Sequence, residues 1–155
     1  MLKIIEAHTE AHLETARQLL REYADSLGFD LSFQNFEKEL AELPGDYAPP
    51  DGRLYLGLEG TRPAGCIALR QVSEHDCELK RFYVCPLFRG KGVGKRLAIM
   101  LIAEARTIGY KRMLLDTVPS MKRAIVLYRA LGFKPIPPYR ENPIHGASFM
   151  ELILD

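Results

Sequence analysis

Cysteine is scarce: three residues, Cys66, Cys77 and Cys85, in a chain of 155. The odd number argues against a disulfide framework and for reduced thiols. Around His75, Cys77 and Cys85 there is neither a CxxC nor an HxxxH spacing. No metal is therefore expected, and the cysteines read as small buried thiols. Long apolar runs are missing too. No stretch approaches the ~18 residues of a membrane span, and the opening MLKIIEAHTEAHLE has acidic residues where a secretory signal needs an apolar core. The expectation is a cytoplasmic protein with no membrane partner. Charge of one sign is not in excess: 21 Lys and Arg face 20 Asp and Glu, for a formal net charge of +1. A non-specific nucleic-acid binder carries more positive charge, so no nucleic-acid partner is expected. Internal repeats, low-complexity tracts and long linkers are absent, which predicts one domain over residues 1–155. That length can bury a core without disulfides or a structural metal.

What is present is a clear alternation of short apolar runs and helical patterns. LKIIEA (2–7) reads as an edge strand. Thr9 caps a helix carrying Leu13, Ala16, Leu19, Leu20, Tyr23 and Leu27 at helical spacing, and Gly28 stops it. Residues 32–43 predict a second helix with Ser32 as cap and Phe33, Phe36 and Leu40 on one face. Strands follow at 53–60, 63–72 and 77–86, the first two joined by the turn EGTRP. The third alternates Leu79, Arg81 and Tyr83 against Glu78, Lys80, Phe82 and Val84. A long helix is expected from Gly92 to Thr107, closed by Gly109, then a buried strand at 111–118. A helix over 120–133, capped by Ser120 and stopped by Gly132, precedes the Pro-rich excursion KPIPPYRENPIHG and a last strand at 147–154. The order β-α-α-β-β-β-α-β-α-β-β predicts an α+β fold. Its mixed sheet is antiparallel in the meander and carries one right-handed parallel crossover across 77–118. An exposed final strand would allow pairing across a homodimer.

The stretch PLFRGKGVGKRLAIMLIAEA (86–105) carries the chemistry. A strand ends, glycines stand at 90, 92 and 94, and a helix begins, so unpaired N–H groups and the helix dipole converge on one spot. Arg89, Lys91, Lys95 and Arg96 add positive charge. A pyrophosphate suits such a loop. The ATP-binding pattern G-x-x-x-x-G-K-[ST] does not fit, because Gly90 to Gly94 is one residue short and Arg96 replaces the hydroxyl. The dinucleotide pattern G-x-G-x-x-G fails as well, its third glycine arriving one residue early.

A strand ending Val84–Cys85–Pro86, then Arg89–Gly90–Lys91–Gly92–Val93–Gly94, a long helix, a strand, and Leu127–Tyr128 ahead of Gly132–Phe133 resemble the GNAT superfamily of acyl-CoA-dependent N-acyltransferases. The resemblance implies a mostly antiparallel sheet of six or seven strands with a splayed parallel pair and about four flanking helices. It implies that acetyl-CoA is the cosubstrate. The backbone of Phe82, Tyr83 and Val84 would meet its pantetheine arm, and Arg89, Gly90, Lys91, Gly92, Val93, Gly94 and Lys95 its diphosphate. One departure stands out: where many members carry Asn, this chain has Met121.

The implied chemistry is acetyl transfer to a primary amine of a small molecule or peptide, directly within a ternary complex. The alternative is a non-catalytic coenzyme A-binding regulatory module. Tyr128 occupies the position of the family's general acid, and backbone N–H near Val84 would face the oxyanion. Glu78 is the first candidate to accept the amine's proton, with Asp116 and Glu151 behind it. Cys85 has no His or Asn partner in view for a covalent route. Acceptor contacts are expected from two variable regions. Asp25, Asp30 and Glu141 suit an amine, Arg140 and His145 a carboxylate, and Phe29, Phe33 and Tyr139 an apolar wall.

Overall fold

In the computed structural model, residues 1–28, 31 and 35–154 are described. They form β1 (Leu2–Glu6), α1 (Glu10–Ser26), α2 (Phe36–Glu42), β2 (Arg53–Glu59), β3 (Arg62–Gln71), β4 (Asp76–Val84), α3 (Val93–Ile108), β5 (Arg112–Thr117), α4 (Lys122–Ala130), β6 (Lys134–Ile136) and β7 (Ser148–Ile153). The strands make a seven-stranded sheet in the order β1-β2-β3-β4-β5-β7-β6. Every neighbouring pair is antiparallel except β4 and β5.

Local chemistry explains the elements that place the site. Thr9 caps α1 by accepting the His12 N–H at 3.1 Å, and Leu13, Ala16, Leu19 and Leu20 bury its inner stripe. In α3, Val93, Leu97, Ala98, Leu101, Ile102 and Ala105 do the same, and Gly109 closes the helix in a left-handed conformation. Leu56, Ile67, Leu69, Leu97, Leu101, Met113 and Leu115 are fully buried, each apolar side chain contributing about 2 kcal/mol by leaving water. Along β4, Phe82 and Val84 meet Gly94 of α3, while Tyr83 reaches Glu22 and Tyr23 of α1. Successive residues of a strand point to opposite faces, so α1 and α3 cover opposite sides of the sheet.

Several boundaries differ from the sequence-based expectation. Met121, not Ser120, stands at the N-cap of α4, without a side-chain cap, and the helix ends at Ala130. Ser32 and Phe33 lie outside the described residues; α2 begins at Phe36 after Asn35. The strict alternation expected along β4 breaks. The β3–β4 register jumps from Cys66↔Tyr83 to Ala68↔Lys80, and Arg81 takes up the extra residue at φ +56°. Lys80 and Arg81 therefore line the same cavities instead of opposite faces. The Pro-rich segment contributes the short edge strand β6, whose middle residue Pro135 is compatible only with such a position. Because β6 and β5 flank β7, the final strand offers no free edge to a second copy.

Candidate active site

The parallel pairing of β4 with β5 covers only Asp76–Glu78 against Arg112–Leu114. Beyond Glu78 and Leu114 the two strands part, so the β5-facing backbone groups of residues 79–84 lack a strand partner among the described residues and are open to a ligand. A cavity of about 440 Å³ fills the opening, lined by Phe82, Tyr83 and Val84 on β4 and by Arg89, Gly90 and Gly92 to Lys95 at the start of α3. Gly92 at the N-cap of α3 has no side chain to cap it, and no cap bond forms among the described residues, which leaves the first-turn amides and the helix dipole directed at the cavity. Gly90 and Gly92 have φ of +80° and +81°, a left-handed conformation that glycine alone adopts cheaply. Arg89 braces the turn, donating from Nε to the Val84 carbonyl at 2.9 Å. The far wall is the start of α4, with Met121, Lys122 and Arg123. Two cations in a helix's first turn oppose its dipole, an arrangement that an anion between them and the helix would relieve.

Phe82 and Met121 also line a second, inner cavity with Tyr23, Lys80, Arg81, Asp116, Thr117 and Tyr128. Tyr128 is 4% exposed, with its ring between Phe82 and Phe133 at centroid distances of 6.0 and 5.6 Å. Burial, then the neighbouring Tyr23 and Asp116, push its phenol well above the ordinary value, so it stays protonated. Burial, with Arg81 adding to it, pushes the Lys80 ammonium down to about 8. Burial alone would raise the Asp116 carboxyl; its hydrogen bond from Arg140 (2.7 Å), the charges of Arg140 and Lys80 and a bond from Asn142 (3.1 Å) outweigh this and lower it. Lys80 and Arg81 in turn open onto a third, outer cavity of about 550 Å³ walled by Glu39, Asp46, Tyr47, Arg70, Arg140 and Glu141.

A family model for the acetyltransferase (GNAT) family matches residues 8–133. The chain belongs to the GNAT acetyltransferase family. It is 37% identical to a Schizosaccharomyces pombe protein named as an N-acetyltransferase, across 90% of this chain and 87% of that one. Its fold is similar to a GNAT-family acetyltransferase from Staphylococcus aureus Mu50, with a TM-score of 0.84 at 18% identity over 100% of both chains. It is also similar to the PaiA N-acetyltransferase of Thermoplasma acidophilum, solved in complex with coenzyme A, with a TM-score of 0.75 at 19% identity over 99% of each chain.

Within this GNAT fold, the residues singled out from sequence separate by position. Phe82, Tyr83, Val84, Arg89, Gly90, Gly92, Val93, Gly94 and Lys95 line the first cavity, whereas Lys91 turns aside and lies 5.8 Å over the Phe88 ring. Arg96 reaches the Leu2 carbonyl at 3.3 Å. Tyr128 lines the inner cavity. Glu78 is fully buried and lines none of the three cavities. Its Oε1 accepts from Arg70 Nε at 2.7 Å, and its Oε2 accepts from Tyr139 Oη at 2.6 Å and faces Arg140 Nη2 at 2.6 Å. Glu151 faces Arg112 at 3.8 Å. Cys85 is buried, its thiol pushed up to about 11 by burial and then Glu22. Asp25 and His145 are exposed and outside the cavities. Phe29, Asp30 and Phe33 lie outside the described residues. The sequence reading passed over Lys122, Arg123 and Arg70. The cationic first turn of α4 was the available signal for the first two, and Arg70 had none.

Proposed function

We propose that the protein transfers an acetyl group from acetyl-CoA to a primary amine of a small molecule or peptide, directly in a ternary complex. The observation that carries this reading is three neighbouring cavities with shared walls, Phe82 and Met121 lining the first and second and Lys80 and Arg81 the second and third. The outermost holds the acceptor, the inner one brings the reacting groups together, and the fork between β4 and β5 receives the coenzyme. The residues fit the coenzyme: open backbone on β4 for the amides of a pantetheine arm, and uncapped amides of Val93, Gly94 and Lys95 for a diphosphate. The Thermoplasma neighbour bound to coenzyme A supports the same ligand. When bound, the coenzyme supplies an acetyl group already activated as a thioester.

The chain's own residues then divide the work. Backbone N–H groups around the Arg81 bulge and Val84 face the negative charge that develops at the carbonyl oxygen; one such donor stabilises a transition state by about 3 kcal/mol. Tyr128, protonated in its buried site, gives its proton to the departing thiolate, and the proton that the amine nitrogen loses on forming the amide restores the phenol through the inner cavity. Glu78 acts at one remove: its carboxylate, closed off by Arg70, Tyr139 and Arg140, orients those side chains. An acceptor amine of modest pKa enters in its neutral form, and alignment in the inner cavity lowers the barrier by several kcal/mol. Cys85, a neutral buried thiol outside the cavities, takes no acyl group.

The test is release of free thiol from acetyl-CoA across a panel of amines. Amine-dependent release that Tyr128→Phe abolishes supports the assignment. Tight acetyl-CoA binding with no release for any amine contradicts it.

A further inference from the structure

We propose that the acceptor carries a carboxylate as well as its amine, and that Arg70 and Arg140 clamp that carboxylate in the outer cavity. Calling the ligand an acceptor rests on the acetyltransferase reading; the clamp itself rests on geometry.

Arg70 comes from β3 and Arg140 from the loop after β6, 70 residues on. One buried carboxylate fixes both, since Glu78 takes Arg70 Nε on Oε1 and Arg140 Nη2 on Oε2. Asp116 holds the same Arg140 nitrogen at 2.7 Å from β5, and the Tyr139 ring lies 5.6 Å below the guanidinium. Each guanidinium has donors on three nitrogens. Arg70 Nη2 and both Nε and Nη1 of Arg140 have no hydrogen-bond partner among the described residues. Arg70 Nη1 only approaches Asp46, at 4.0 Å from a carboxylate that is 82% exposed.

Both side chains line the outer cavity. The result is a pair of guanidiniums already oriented from behind, with unused donors beside a space of about 550 Å³. Planar forked donors match a carboxylate, and their fixed orientation lowers the entropy cost of binding one. Glu42, Asp46 and Glu141 on the same wall disfavour a doubly charged phosphate. Lys80 and Arg81 line both this cavity and the inner one that holds Tyr128, so a molecule anchored by its carboxylate would extend its amine past them toward the inner cavity. An amino acid has this chemistry.

The experiment titrates the coenzyme A-saturated protein calorimetrically with L-α-amino acids, β-alanine and γ-aminobutyrate, each matched with its own carboxamide. At least one acid is expected to bind about tenfold or more tighter than its amide. Arg70→Gln and Arg140→Gln each remove that preference, and Arg70→Lys restores part of it. Arg70→Gln leaves Glu78 held by Arg140 and Tyr139, so it decides the matter even where Arg140→Gln lowers the thermal midpoint sharply. Equal binding of every acid and its amide, or a preference that survives both Gln substitutions, overturns the clamp. Acetyl transfer is measured on the same pairs. Selective binding of an acid that is never acetylated keeps the clamp and contradicts the acetyltransferase reading. Acetylation of acids and amides alike, with equal affinity, does the opposite.

Discussion

Gly94 and Phe82 meet so closely across the mouth of the fork that a Cβ on Gly94 would stand 3.0 Å from Phe82 Cζ. The same Cβ would be 3.3 Å from the nearer Val84 methyl. Phe82 and Val84 are the strand residues that line the proposed coenzyme cavity beside the first turn of α3. The absent side chain is thus what allows helix and strand to approach while leaving room for a ligand between them.

Gly94→Ala forces Phe82 or the helix to shift by a few tenths of an ångström, at a cost of about 1–2 kcal/mol. Coenzyme A affinity, measured by calorimetry, is expected to fall about tenfold, and Gly94→Val to fall further. An unchanged affinity in both variants would show that this contact does not shape the coenzyme site.

Tyr128→Phe removes the phenol proton and keeps the ring between Phe82 and Phe133. Steady-state kinetics should show kcat lowered about 100-fold. Coenzyme A affinity should be unchanged, because Tyr128 lines the inner cavity and not the cavity proposed for the coenzyme. A kcat equal to that of the unaltered protein would remove Tyr128 from the chemistry.

Glu78→Gln separates positioning from proton transfer. With Arg70 and Arg140 released from their buried partner, the acceptor KM is expected to rise about tenfold, the loss of a charged hydrogen bond. The pH profile of kcat should keep its shape. Loss of the acid limb of that profile, with KM unmoved, would make Glu78 the base.

Acid stability should depend on Asp76. The hydrogen bond from Arg112, at 2.9–3.1 Å, holds its carboxyl below the ordinary 3.8. The folded pKa is the lower one, so the pair stabilises the protein fully above about pH 4 and loses that contribution as pH falls through the folded value. Asp76→Asn should lower the thermal midpoint at pH 7, and the difference from the unaltered protein should shrink as pH falls below about 4. Parallel curves over that range would contradict the linkage.

How much of this was legible beforehand follows from the range of the interactions. The glycine turn that lines the first cavity was readable because its determinants are local: glycines at fixed spacing, a strand end and a helix start all lie within residues 84–95. The order of elements was readable for the same reason, each pattern being set by its own periodicity. Tyr128, which lines the inner cavity, was singled out through its neighbours Leu127, Gly132 and Phe133. The β4 bulge was hidden, because a left-handed Arg81 leaves no mark on residue type. The surroundings of Glu78 were hidden too. Arg70, Tyr139 and Arg140 meet it only after β3 pairs with β4 and the Pro-rich loop folds over the fork, contacts that no spacing encodes. Lys91 looked equivalent to its basic neighbours, and only the turn geometry carries it away to Phe88.

The central claim is that the open end of α3 grips the coenzyme's diphosphate. Amide chemical shifts of isotope-labelled protein, followed while coenzyme A is added, test it most directly. The account predicts that the largest changes fall on Gly92, Val93, Gly94 and Lys95, and that dephosphorylated pantetheine fails to reproduce them. Saturating binding that leaves those four amides unmoved would contradict it.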